Sequence, residues 1–129
     1  MDKIEEAIRA ALVNGKLPCT QAFRIADEQQ IEPLVVGQNA TQLGIRITRC
    51  QLGLFGYEDL GNKRIVQEMP DVPPALARAI RSRLVSNKLS CHAAWEIACE
   101  LDLPKLHVSS AVETLGIRFS SCQLGCFKG

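Results

Sequence analysis

The side chains with the most chemical potential are six cysteines, Cys19, Cys50, Cys91, Cys99, Cys122 and Cys126. Thiolates are soft ligands suited to zinc or iron–sulfur clusters, and accessible thiols can also sense oxidants. Four of the six come in matched pairs 72 positions apart, Cys19 with Cys91 and Cys50 with Cys122. Cys122 and Cys126 make one C-x-x-x-C, no C-x-x-C occurs, and both histidines, His92 and His107, fall in the second half. A metal site built twice would repeat its whole ligand set, which this chain does not. The expectation is therefore buried thiols acting as small hydrophobes, with no metal and no cofactor. A thiol-based metal or redox sensor is the alternative. There is no P-loop, dinucleotide fingerprint, Ser/His/Asp set or metalloprotease motif, and the carboxylates are scattered. An enzyme is not expected.

The matched cysteines belong to a longer repeat. Leu43–Phe55 reads LGIRITRCQLGLF, and Leu115–Phe127 reads LGIRFSSCQLGCF. The spacing predicts an internal duplication with an offset of 72 residues. Glu68–Pro74 carries three prolines and is the expected boundary. The two units are then 1–69 and 70–129.

Composition is that of a globular chain, 47% hydrophobic and 22% charged among 129 residues. Net charge is +1, so the whole molecule has no strong pull on polyanions. Residues 74–129 carry seven basic and four acidic side chains, an excess of three positive charges. The start is charged, and no apolar run is long enough for a bilayer, so a cytoplasmic location without membrane contact is expected.

Apolar spacing predicts the elements that must position these groups. Ile4, Ala7, Ile8, Ala11 and Leu12 form one helical stripe, with Asn14-Gly15 expected to end it. A second helix over Cys19–Gln29 turns Ala22, Ile25 and Ala26 inward. Pro33 opens a third, whose inner row is Val36, Ala40 and Leu43, and Gly44 stops it. Ile45–Cys50 alternates as a half-buried strand, and Lys63–Gln67 is its expected return strand. The second unit repeats this plan with Leu76, Ala79, Ile80 and Leu84. It continues with Ala94, Ile97 and Ala98, then Val108, Val112 and Leu115. Ser90 and Asp71 are candidate helix caps, and Arg78, Arg81, Arg83 and Lys88 are expected as a solvated basic face, with packing of Arg83 at the junction of the units as the alternative. The fold class is α+β, mainly helical, each unit having three helices and a small β-hairpin. The second hairpin is truncated by the chain end.

A small-residue second helix, a brief break before the third, and a strand directly after Leu-Gly resemble a winged helix-turn-helix. The resemblance covers nearly all of each unit. It implies double-stranded DNA as partner and transcription control as role. The third helix would then offer Gln38, Asn39 and Gln42 to base edges in the first unit, and Ser109 and Ser110 in the second. Arg46, Arg49, Lys105 and Arg118 would hold phosphate. The other expectation is an interaction module, whose third helices and QLG corners grip a protein partner or a second copy of the chain.

Overall fold

The computed structural model describes residues 3–58 and 64–126. Among them the chain is α+β and mainly helical. The first half runs α1 (Lys3–Ala10), β1 (Leu17–Pro18), α2 (Cys19–Gln29), α3 (Pro33–Gln42) and β2 (Ile47–Thr48). The second runs α4 (Pro74–Ser82), β3 (Lys88–Leu89), α5 (Cys91–Leu101), α6 (Lys105–Thr114) and β4 (Arg118–Phe119). No helix among the described residues is long and apolar enough to cross a membrane.

The helix ends follow local chemistry. Gln30 and Asp102 take the left-handed conformation, φ 55° and 54°, and close α2 and α5. Ser90 caps α5, its Oγ accepting from the Ala93 N–H at 3.0 Å. The α4 cap is Pro73, with no side-chain bond, so the expected role of Asp71 is not realised. Asn14-Gly15 also serves differently from expectation. Helix α1 ends earlier, at Ala10, and the positive φ of Asn14 and Gly15 makes a tight turn that bridges Val13 to Lys16. Ser86 and Asn87 make the corresponding turn between Val85 and Lys88.

The expected hairpin does not form. Strand β2 pairs parallel with β1, Leu17 opposite Ile47, and β4 pairs parallel with β3, Leu89 opposite Phe119. Lys63 lies outside the described residues, and Arg64–Gln67 is not a strand. The N–H groups of Ile65 and Val66 donate instead to the Gly53 carbonyl at 2.8 and 3.3 Å, so they are committed to the corner. The Arg83 guanidinium is held by two carboxylates. It pairs with Glu96 and Glu100 on α5, in its own half, because these carboxylates lie within its reach at 3.4 and 2.6 Å.

Each half packs three helices around an aliphatic core. Ile8, Leu17, Ala22, Ile25, Val36 and Ala40 fill the first. Leu76, Ile80, Leu89, Ala94, Ile97, Val108 and Val112 fill the second. The alanines let the helices approach closely. Each core also takes buried residues from the other half. Leu124 is buried in the first core and Leu52 in the second, at 2% and 0% exposure. Cys50, Leu54 and Phe55 accompany Leu52 into the second core, and Cys122 packs on the first. Burial of a leucine side chain contributes about 1.5–3 kcal/mol, so the crossing corners are a substantial part of what joins the halves. Phe23 and Trp95 pack with ring centroids 4.1 Å apart and planes tilted by 39°. Met69 closes the seam through two hydrogen bonds with the Thr114 hydroxyl, at 2.8 and 3.0 Å.

Candidate ligand groove between the halves

The site begins with the two QLG corners. In each, the glycine N–H donates back to the cysteine carbonyl, Gly53 to Cys50 at 2.9 Å and Gly125 to Cys122 at 3.0 Å. Gly53 and Gly125 have φ of 74° and 78°, which a residue with a Cβ adopts only with strain. A Cβ at either would also press on a leucine side chain of the other half. One built on Gly53 would lie 2.7 Å from Leu106 Cδ1, and one on Gly125 would lie 2.8 Å from Leu34 Cδ1. Leu34 and Leu106 are themselves 72 positions apart, so the two contacts are reciprocal. Gly37, in the middle of α3, lies directly against the Leu124 backbone carbonyl.

Crossing of the corners brings the two strand segments to one cleft of about 1130 Å³. Gly44, Ile45, Arg46 and Ile47 line it from the first half, and Gly116, Ile117, Arg118 and Phe119 from the second. Leu54, Phe55, Leu124 and Cys126 supply further apolar lining. Charge enters as Arg46, Arg64 and Arg118 against Glu58 and Glu113. Arg46 pairs with Glu58 at 3.3 Å, and Arg64 with Glu113 at 2.8 Å. Arg118 makes no ion pair among the described residues and is exposed. The groove thus mixes apolar and charged lining, with one positive charge in excess among the described residues.

The residues expected to meet DNA are scattered. Gln38 and Gln42 are exposed on α3. Asn39 is half-buried, and its Nδ2 donates to the Val35 carbonyl at 2.8 Å. Arg46 and Arg118 line the groove. Arg49 is half-buried, its guanidinium 5.0 Å from the centre of the Tyr57 ring, and Lys105 Nζ sits 4.5 Å from the Trp95 ring centre. Ser110 is half-buried, with its carbonyl accepting from the Thr114 hydroxyl at 3.1 Å. Ser109 is a correction. It is 1% exposed, so it cannot reach a base edge. It occupies the position 72 residues after Gly37, on the α6 face turned inward. Its hydroxyl has no hydrogen-bond partner among the described residues.

Five of the six cysteines gather at the seam. Cys19, Cys50 and Cys91 each respond to charge on Cys122, and Cys126 adjoins Cys122. Burial pushes the Cys19 thiol up to about 12 and the Cys91 thiol up to about 11, and raises Cys50. A hydrogen bond from the Cys126 thiol, aided by neighbouring amides, brings Cys122 down to about 6. The same contact holds the Cys126 proton in place. Among the described residues no group of three or more His, Cys, Asp or Glu is arranged to hold a metal ion.

Sequence reasoning overlooked Glu58 and Arg64 as groove residues, and it did not bring Arg46 and Arg118 to one cleft. The available signal was the repeat itself: a segment copied with its arginine, LGIR, is one that can face its own copy. Comparison with known proteins returns no matching family model, no matching curated protein and no matching solved structure.

Proposed function

We propose that the chain is a binding protein whose site is the groove between its halves, and that its ligand is a small organic anion with an apolar body. The observation that carries this reading is the convergence of the same four positions from each half, Gly-Ile-Arg-Ile and Gly-Ile-Arg-Phe, on one cleft. Clefts at the junction of two units, mostly apolar with a few fixed polar groups, are where small ligands bind, and volumes of about 300–1000 Å³ are usual. Arg118 supplies the anion contact, with Arg46 shared between the ligand and Glu58. Duplication of one helix-turn-helix-like unit accounts for the arrangement, since a site facing its own copy acquires two arginines at once.

The test is thermal-shift titration with 8-anilinonaphthalene-1-sulfonate and a set of aromatic and aliphatic carboxylates. Saturable stabilisation is expected, weakened about tenfold in Arg118→Ala, the loss of one charge-assisted contact. No saturable shift, or equal shifts in the wild type and Arg118→Ala, would sink the proposal.

A second reading is DNA binding for transcription control. It is favoured by the exposure of Gln38 and Gln42 on the third helix of a helix-turn-helix-like unit. In that reading Arg46→Ala and Arg118→Ala weaken binding at every sequence and flatten its salt slope. Fluorescence anisotropy with mixed-sequence duplexes separates the two readings. Duplex binding unaffected by either arginine variant would remove the second.

A further inference from the structure

Positions 72 residues apart meet in a reciprocal way. Leu106 of the second half lies against Gly53 of the first, and Leu34 of the first lies against Gly125 of the second. Leu52 and Leu124 are likewise exchanged between the cores. At one place a position meets its own counterpart, since Phe23 packs on Trp95 with ring centroids 4.1 Å apart. Contacts in which i touches j and j touches i are the mark of an isologous, two-fold arrangement, and a residue touches its own copy only at the axis.

The groove carries the same relation. Gly44, Ile45 and Arg46 line it from one half, and Gly116, Ile117 and Arg118 from the other. A two-fold relation sets equivalent side chains on opposite sides of the axis, so the cleft has an arginine to either side and apolar lining from both halves. Its symmetry breaks in charge. Glu113 stands where the first half has Thr41, and its carboxylate is taken by Arg64 at 2.8 Å. Arg46 is held by Glu58 at 3.3 Å, and both partners are exposed. An exposed ion pair is worth little and exchanges readily for another anion.

We propose that the groove takes one ligand with two anionic ends, a dicarboxylate with an apolar middle, held by Arg118 at one end and Arg46 at the other. The proposal rests on the groove being the binding site and adds a second head group, which one excess charge alone does not call for. The first carboxylate pairs with Arg118, where there is no described ion pair to displace. The second takes Glu58's place on Arg46, and Glu58 turns to solvent. Two guanidinium groups then face two carboxylates. Once one end is held, the other meets its arginine at high effective concentration, so two modest contacts combine into a tight one.

The experiment is isothermal titration calorimetry of the full chain near neutral pH with matched acids: octanoate and octanedioate, decanoate and decanedioate, benzoate and terephthalate. In at least one pair the diacid is expected to bind about tenfold or more tighter than the monoacid, at one per chain. Having two equivalent ends gives a diacid only about a twofold advantage by statistics, and the ratio should fall to that level in Arg46→Ala and in Arg118→Ala. The wild-type ratio is decisive without either variant. A ratio of about two or less in every pair would overturn the proposal, as would a diacid advantage that survives Arg46→Ala. Binding of 8-anilinonaphthalene-1-sulfonate that weakens in Arg118→Ala, alongside such a result, would leave the groove as a site for singly charged anions. Loss of that response as well would overturn the groove itself.

Discussion

Leu52 and Leu124 each fill the core built by the other's half of the chain, although both stand in the same QLG corner of the repeat. The exchange makes each core incomplete without the other half. Truncation should therefore be felt across the seam. Leu124→Ala, at 2% exposure, is expected to cost about 2–5 kcal/mol by leaving a cavity in a core whose other members lie before residue 41. Leu52→Ala should cost a similar amount. Urea unfolding checks both, and a loss under about 1 kcal/mol in either would mean the corners are surface features.

Gly37 gives an independent probe of the same contact. A Cβ there would run into the Leu124 backbone carbonyl, which is not a flexible side-chain end. Gly37→Ala should destabilise by about 1–3 kcal/mol, in spite of the gain in helix propensity that alanine brings inside α3. A stabilised variant in the same unfolding assay would contradict the crossing.

Phe23 and Trp95 should be energetically coupled. A double-mutant cycle with Phe23→Leu and Trp95→Leu is expected to yield about 0.5–1.5 kcal/mol of interaction energy. Phe23→Leu should also shift the emission of the sole tryptophan to the red as its ring gains water. A coupling of zero would place the two rings apart in solution.

Cysteine reactivity should split by pH. With Cys122 brought down to about 6, its alkylation by iodoacetamide should rise through that pH and then level off. The sign follows from chemistry, since only the thiolate attacks and its fraction grows as pH climbs past the pKa. The thiols facing it, Cys50, Cys91 and Cys126, stay protonated over this range and add no charge. Cys19 and Cys91, at about 12 and 11 and buried, should react only on unfolding. Peptide mapping across a pH series from 5 to 9 (roughly the span that brackets both classes of thiol) reads this out. Uniform labelling of all six would refute it.

Much of the helical framework could be read from the residues. Ala22, Ile25 and Ala26 recur with a period that only a helix turns to one side, and Ser90 stands where an N-cap must. The strand partners could not be read this way. Ile45–Thr48 alternates whether its neighbour is a returning wing or the link after α1, and the choice rests on which edge reaches it first. The crossing of the corners was hidden for a related reason. A repeat makes Leu52 and Leu124 equivalent, so local pattern cannot say which core each one enters. Ser109 misled because a serine on a helix looks solvated. Its counterpart Gly37, which leaves no room for a side chain, was the clue that this face is covered.

The most direct test of the groove is a solution NMR titration of the nitrogen-15-labelled chain with an aromatic carboxylate. The account predicts that Gly44, Arg46, Gly116 and Arg118 amides shift together, from both halves, and saturate at one equivalent of ligand. Shifts confined to one half, or absent from these four while Gln38 and Gln42 respond to duplex DNA, would contradict it.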